Sequence, residues 1–264
     1  MVVRRIREHV TDHNWFAVAI DLGIVVAGVF LGAQANNWNE VRHDRDKGHA
    51  YRVRLVEELR TTEQGMRGIK LYYADARSHA LAALAVLRTP GSPVGEAFLI
   101  DAYQATQVLP RAARHSTYDE ILQSGSLELI GSPDERARLA NYFWRMDGLV
   151  SLDSASPTYR ERLRSVMPYE VQQAILAKCS EILSDLGNGL MLSRLPDHCV
   201  LGLDPSLAAK AAAQIRSEPG LVNDLTRMIV ALDSRILSFG KLEINARQVR
   251  QYIERGTGRR GPLS

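Results

Sequence analysis

One stretch decides what this chain can fold into. From Phe16 to Ala35 the sequence carries a single charge, Asp21, and from Leu22 to Ala33 every residue is apolar or glycine. A helix rises about 1.5 Å per residue, so the path from Trp15 to Trp38 covers roughly 34 Å, a little more than the ~30 Å hydrocarbon core of a bilayer. The two indoles then fall where interfacial aromatic belts lie. A helix buried in a protein core is the competing reading, but this one is apolar on all sides and is bracketed by Trp15 with upstream arginines and by Asn36, Asn37 and Trp38. Residues 16–36 are therefore read as one transmembrane helix, preceded by a short basic segment, 1–15. The bulky Asn36-Asn37-Trp38-Asn39-Glu40 offers no Ala-x-Ala site, which argues against a cleavable signal peptide.

Charge gives no clean orientation. Arg4, Arg5 and Arg7 precede the span, and Arg42, Arg45, Lys47, Arg52 and Arg54 follow it. A short basic N-terminus ahead of a first hydrophobic segment behaves most simply as an uncleaved signal anchor, so the rest of the chain is expected on the exported, periplasmic side. The net charge of +3 is far from the concentrated basic face of a nucleic-acid binder, and no nucleic-acid partner is expected. Cys179 and Cys199 lack the C-x-x-C spacing of zinc or thiol redox sites. A disulfide in an oxidising compartment and two free buried thiols both fit, the free thiols being the plainer reading.

Beyond the span, residues 37–255 read as a helical domain and 256–264 as a flexible basic tail. Leu55, Leu59, Thr62, Met66, Ile69, Tyr73, Ala76, Ala80, Ala83 and Leu87 step by 4 and 3 without a break, the seam of a long helix that packs on another. Pro90-Gly91 is the expected stop. The spacing returns at Leu221, Leu225, Met228, Leu232, Arg235, Phe239, Leu242, Ala246, Val249 and Ile253, after Pro219 and before Gly256. Each seam covers about 48 Å, and the equal lengths predict that the first and last long helices pair. An antiparallel pair would bring Arg247, Arg250, Arg255, Arg259 and Arg260 back towards Arg42, Arg45 and Lys47. Anionic headgroups or Glu40, Asp44 and Asp46 would then have to offset the repulsion.

Punctuation sets the shorter helices. Ser132-Pro133-Asp134-Glu135 is a capping box with proline at N1, predicting a helix from Pro133 to about Met146. Ser156-Pro157 and Asp204-Pro205 repeat the cap-then-proline start. Gly125 reads as the left-handed residue that stops a helix beginning near Ser116. Gly187 to Gly202 reads as a long loop, and no stretch alternates with period two for long enough to demand a sheet. The fold class is all-α: one N-terminal transmembrane helix followed by a helical bundle with long first and last helices.

The exit of the span, Gln34-Ala35-Asn36-Asn37-Trp38-Asn39-Glu40, resembles the Q-x-N-N-W-N-E signature of a family of uncharacterised bacterial membrane proteins known only as a domain of unknown function. The stretch Thr117-Tyr118-Asp119-Glu120-Ile121-Leu122-Gln123-Ser124-Gly125-Ser126-Leu127-Glu128-Leu129-Ile130 is similar to that family's T-Y-x-E-L-x-S-S-G-x-L-x-L-I run. The chain departs from the pattern at Asp21, where members usually carry Glu, and at Gln123, where Ser is common. The resemblance implies a single-pass protein of the bacterial inner membrane and brings no established activity.

Asp21 is the residue with the most chemical content, since a carboxylate about 7 Å inside the span carries a desolvation cost and usually faces protein or water. Snorkelling to the headgroups is the plainer alternative. Asp21 shares a helical face with Gly28, Gly32 and Ala35, and Gly28 and Gly32 form a small-x-x-x-small motif that lets helices approach closely. His9 and His13, at i and i+4, lack a third metal ligand, and His43, Asp44, Asp46 and His49 read as a solvated juxtamembrane helix. Tyr118, Ile121, Leu122, Leu127 and Ile130 have the composition of buried packing. There is no nucleotide-binding glycine loop, no G-x-S-x-G and no H-E-x-x-H. The reading is a non-enzymatic membrane-anchored interaction protein with no metal or cofactor. Its expected partners are membrane lipids and either copies of itself or the subunits of a larger complex. The alternative is a sensor or ion-coupled single-pass subunit in which Asp21 titrates.

Overall fold

No proline interrupts the chain between Trp15 and Arg88, and the seam described above supplies a partner-facing stripe over the second half of that length. A single helix, α1 (Trp15–Arg88), results. The computed structural model describes residues 15–89, 91–92, 94–109, 115–152, 157–187 and 189–258. At about 1.5 Å per residue α1 is roughly 110 Å long. The apolar segment and the first helix of the bundle are thus one body, with no loop at the 36–37 boundary. The helix ends at Arg88, just before Gly91, which takes the left-handed φ of 76° that only glycine adopts freely. Pro90 lies outside the described residues.

The chain continues through α2 (Glu96–Gln104), α3 (Ser116–Gln123), a 3-10 turn (Ser126–Leu129), α4 (Pro133–Leu152), α5 (Thr158–Val166) and α6 (Tyr169–Lys178). A hairpin of β1 (Ile182–Asp185) and β2 (Met191–Arg194), then α7 (Pro205–Ser217) and α8 (Leu221–Gly258), complete it. The fold is all-α, with two long helices and one small hairpin among the described residues.

The two seams do pair, and antiparallel. Asp233 meets Arg77, Glu243 meets Lys70 at 2.5 Å, and Arg250 meets Glu63 at 3.1 Å, so α8 descends as α1 climbs. All ten seam positions of α1 are buried or half-buried, and Tyr73 stacks on Phe239 with ring centroids 5.9 Å apart. The arginine in the second seam is explained by this stack, because the Arg235 guanidinium lies 5.4 Å over the Tyr73 ring. Ala76, Ala80 and Ala83 are fully covered and let the backbones come close. α2 packs on α1, while α4 and α5 pack on α8.

The caps behave as their chemistry demands. The Ser132 N–H donates to the Glu135 carboxylate at 2.7 Å and the Glu135 N–H donates to Ser132 Oγ at 3.2 Å, a reciprocal capping box. Asp204 accepts from the N–H groups of Ser206 (2.8 Å) and Leu207 (3.3 Å) at the start of α7. Gly125, with φ 65°, separates α3 from the 3-10 turn. α4 runs to Leu152, beyond the expected end at Met146, because an interior Gly148 costs a helix only about 1 kcal/mol. α8 likewise passes Gly256 and reaches Gly258. Pro157 precedes α5 in an extended conformation and does not open it, and its proposed partner Ser156 lies outside the described residues.

Three expectations are corrected. The segment from Gly187 to Gly202 is not a loop throughout: Met191–Arg194 pairs antiparallel with Ile182–Asp185. Short exposed strands carry little periodic signal, and this hairpin is held from outside. Arg194 forks onto Asp75 of α1, whose carboxylate also accepts the Leu195 N–H at 3.2 Å. The Leu192 side chain fills the notch left by Gly68, where a Cβ would collide with it. Cys179 and Cys199 are not free thiols but a disulfide with Cα atoms 5.7 Å apart, joining the end of α6 to the chain just after the hairpin. Finally, two of the arginines returning along α8 are paired within the bundle, while Arg255 is exposed with no ion-pair partner among the described residues. Arg247 and Arg250 reach Glu63, Glu243 and Glu254, not Glu40, Asp44 or Asp46. Arg259 and Arg260 lie outside the described residues.

Candidate functional site

The first candidate is the outer half of α1. Ile20, Leu22, Ile24, Val25, Val26, Val29, Phe30 and Leu31 are all exposed, from 47% to 69%, although each is apolar. This helix is long and apolar enough to cross a membrane, and none of its most apolar window is buried against protein. Gly28, Gly32 and Ala35 share the face of the half-buried Asp21, and a Cβ built at Gly28 or Gly32 meets nothing within 4 Å. That face is a shallow, open groove along the helix. Trp38 stands 69% exposed at the exit, among exposed Gln34, Asn36, Asn37, Asn39 and Glu40. Trp15 opens α1, but its side chain lies outside the described residues, as do Arg4, Arg5, Arg7, His9 and His13. His43, Asp46 and His49 are exposed, and no group of three metal-ligating side chains gathers among the described residues.

The second candidate lies where the bundle begins, about 15 Å along α1 from Trp38. At Gly48 the chain is so close to the 3-10 turn that a Cβ would stand 2.6 Å from the Leu129 carbonyl oxygen. One helical turn on, Arg52 is buried at 5% exposure. Its guanidinium donates to the Ile130 carbonyl, to the Glu135 carboxylate at 3.0 Å and to the Ile253 carbonyl at 2.8 Å. It therefore ties α1 to the turn, to the first turn of α4 and to the end of α8. Gly131 leaves room for this clamp, since a Cβ there would press on the Glu135 carboxylate and stand 2.8 Å from Arg52 Nη1. Burial pushes the Glu135 carboxyl up, but the Ser132 N–H and the Arg52 guanidinium outweigh it and hold the acid below its ordinary value. Breaking such a buried pair by removing one partner costs about 3–5 kcal/mol.

The stretch from Thr117 to Ile130 is the other side of this junction. Tyr118 is buried and stacks on Phe143 at 4.3 Å. Glu120 is exposed and forks onto Arg54, at 3.1 Å on one side. Ser124 Oγ donates to Ser126 Oγ at 2.9 Å on either side of left-handed Gly125. Leu127 is half-buried, Ile121 and Ile130 are fully buried, and Leu122 is 46% exposed, outside the packing expected for it. The first stretch that resembles the family pattern lies within α1 and the second packs against it, where Arg52 joins α1 to Ile130 at the end of that stretch and to Glu135 of α4. Sequence alone places Arg52 among the cations that follow the apolar segment. The signal that distinguishes it is its place three residues before the seam residue Leu55, on the covered face of α1.

No protein-family model, curated protein or solved structure matches this chain.

Proposed function

We propose that this chain is a membrane-anchored helical interaction protein without catalytic activity, held by one span and associating through the Asp21, Gly28, Gly32 and Ala35 face with a second copy or with a subunit of a larger membrane complex. The observation that carries the reading is the outer half of α1, whose apolar run is long enough to cross a membrane and is covered by no other described part of the chain. Water would make such a surface an aggregation site, whereas lipid covers it at no cost. Small residues on one face remove the side-chain bulk that keeps two spans apart.

The cysteines support one side of the membrane over the other. Disulfides persist in oxidising compartments and are rare in the bacterial cytoplasm, so the Cys179–Cys199 bond supports an exported, periplasmic bundle on an inner-membrane anchor.

Replacing Gly28 and Gly32 with Ile in the full chain tests the association. In native membranes, crosslinking should trap the oligomer or complex from the parent chain and much less of it from the variant, with equal amounts of both chains in the membrane. Equal crosslinking would overturn the proposal.

A further inference from the structure

A second surface, remote from the span, has the chemistry of a ligand site. Between α4 and α8 lies a groove of about 460 Å³, within the size range of small-molecule sites. α4 turns Arg138, Asn141 and Arg145 into it, at i, i+3 and i+7, and α8 turns in Asn245, Gln248 and Arg255. Three guanidinium groups line it and no carboxylate does. Arg138 is fixed: its Nε meets Asp134 at 2.9 Å and its guanidinium lies 4.8 Å over the Tyr252 ring, whose hydroxyl donates to the same carboxylate at 2.8 Å. Arg145 and Arg255 are exposed and have no ion-pair partner among the described residues. Elsewhere on α8 the arginines are paired, Arg247 and Arg250 with Glu63 and its neighbours. Within the groove, Arg145 and Arg255 therefore leave two positive charges unpaired among the described residues.

The ligand follows from those groups. Guanidinium forks match carboxylates and phosphates, and primary amides offer one donor pair and one acceptor, the pattern that hydroxyl and acetamido groups require. A lipid headgroup is poorly placed to supply the anion. Arg255 stands near the level of Arg52, which contacts the carbonyl of Ile253, and Arg52 lies about 21 Å along α1 beyond Trp38. The headgroup layer is about 5–8 Å thick. Nucleic acid would need a broader basic face than a nearly balanced chain provides. We infer that the groove between α4 and α8 binds an acidic saccharide, with Arg145 and Arg255 supplying the positive charge that draws its acidic groups and Asn141, Asn245 and Gln248 on its hydroxyl or acetamido groups.

The inference stands apart from the association proposed for the span and is tested separately. Full-length protein in nanodiscs is titrated calorimetrically at low ionic strength with tetragalacturonate, with the disaccharide of N-acetylglucosamine and N-acetylmuramic acid, with maltotetraose and with sodium acetate. At least one acidic saccharide should bind tenfold or more tightly than both maltotetraose and acetate. The double variant Arg145→Gln/Arg255→Gln, whose exposed side chains make no hydrogen bond or ion pair among the described residues, should lose that advantage while its circular dichroism is unchanged. Gln248→Ala should weaken the acidic saccharide and leave acetate unaffected. The tighter of the two acidic probes tells a cell-wall glycan from a uronic acid polymer. Equal binding of acetate, equal binding of maltotetraose, full affinity in the double variant, or no heat from either acidic saccharide would each overturn it.

Discussion

The two halves of α1 share a backbone and differ in what covers them. From Ile20 to Leu31 the large side chains stand about half to two-thirds exposed, while Tyr73, Ala76 and Ala80 in the other half show no exposed surface. The outer half is apolar around its whole circumference, and the inner half only along the stripe that meets α8. A helix expecting protein on one side and water on the other must be amphipathic, and a helix expecting lipid need not be. The comparison separates stability from placement: the inner half should set how firmly the bundle folds, the outer half where it resides.

The largest break in that division comes from Phe239→Ala, which empties the space beside Tyr73 and should cost roughly 3–5 kcal/mol of bundle stability. Chemical denaturation in detergent would register it, and sedimentation with membranes should be unaltered. Somewhat smaller is Val26→Lys at the middle of the exposed run, worth about 2.5–3.5 kcal/mol against insertion. The variant should move to the carbonate-extractable fraction with the denaturation midpoint of its bundle preserved. A fall in that midpoint would mean that the outer half supports the fold after all.

The smallest effect sharpens the picture of the inner half. His115 lies between Asp119 at 2.8 Å and Asp147 at 3.1 Å, bridging the start of α3 to α4. Burial works against its imidazolium, but the hydrogen bond to Asp119 and the charge of Asp147 outweigh it, so the group titrates above its usual 6.5. A folded-state value raised above the unfolded one gives stability that is complete below about pH 6.5 and is lost as pH rises through the folded value. The thermal midpoint should therefore fall between pH 6 and pH 8 more in the parent chain than in His115→Gln, with membrane partition constant throughout.

What could be read in advance was whatever the chain specifies locally. The 4-and-3 spacing of both seams, the reciprocal Ser132–Glu135 cap, the Asp204 cap and the left-handed Gly125 each depend on residues a few positions apart, and each is present in the structure. The features that escaped depend on partners far along the chain. Ile182–Asp185 has no strand signal of its own and is aligned by Met191–Arg194, which Asp75 and Gly68 seat on α1. The cysteine pair forms because α6 and the chain beyond the hairpin converge, and a separation of 20 residues says nothing of that. Arg52 reads as one more basic residue after a span until Glu135 and the carbonyls of Ile130 and Ile253 close around it. The groove between α4 and α8 escaped for the same reason, since Arg145 and Arg255, 110 positions apart in sequence, acquire meaning only when their two helices are set side by side.

Because α1 has no break between its apolar segment and the bundle, the molecule has a phase as well as a length. Each residue of an α-helix turns the chain by about 100°, so the direction in which the groove between α4 and α8 points is geared to the direction of the Asp21, Gly28 and Gly32 face. Two spans meeting through that face would dictate which flanks of the two bundles confront each other. One residue added after Trp38 would swing the bundle about 100° around the axis of α1, whereas seven, nearly two whole turns, would raise it about 10 Å and restore its azimuth to within about 20°.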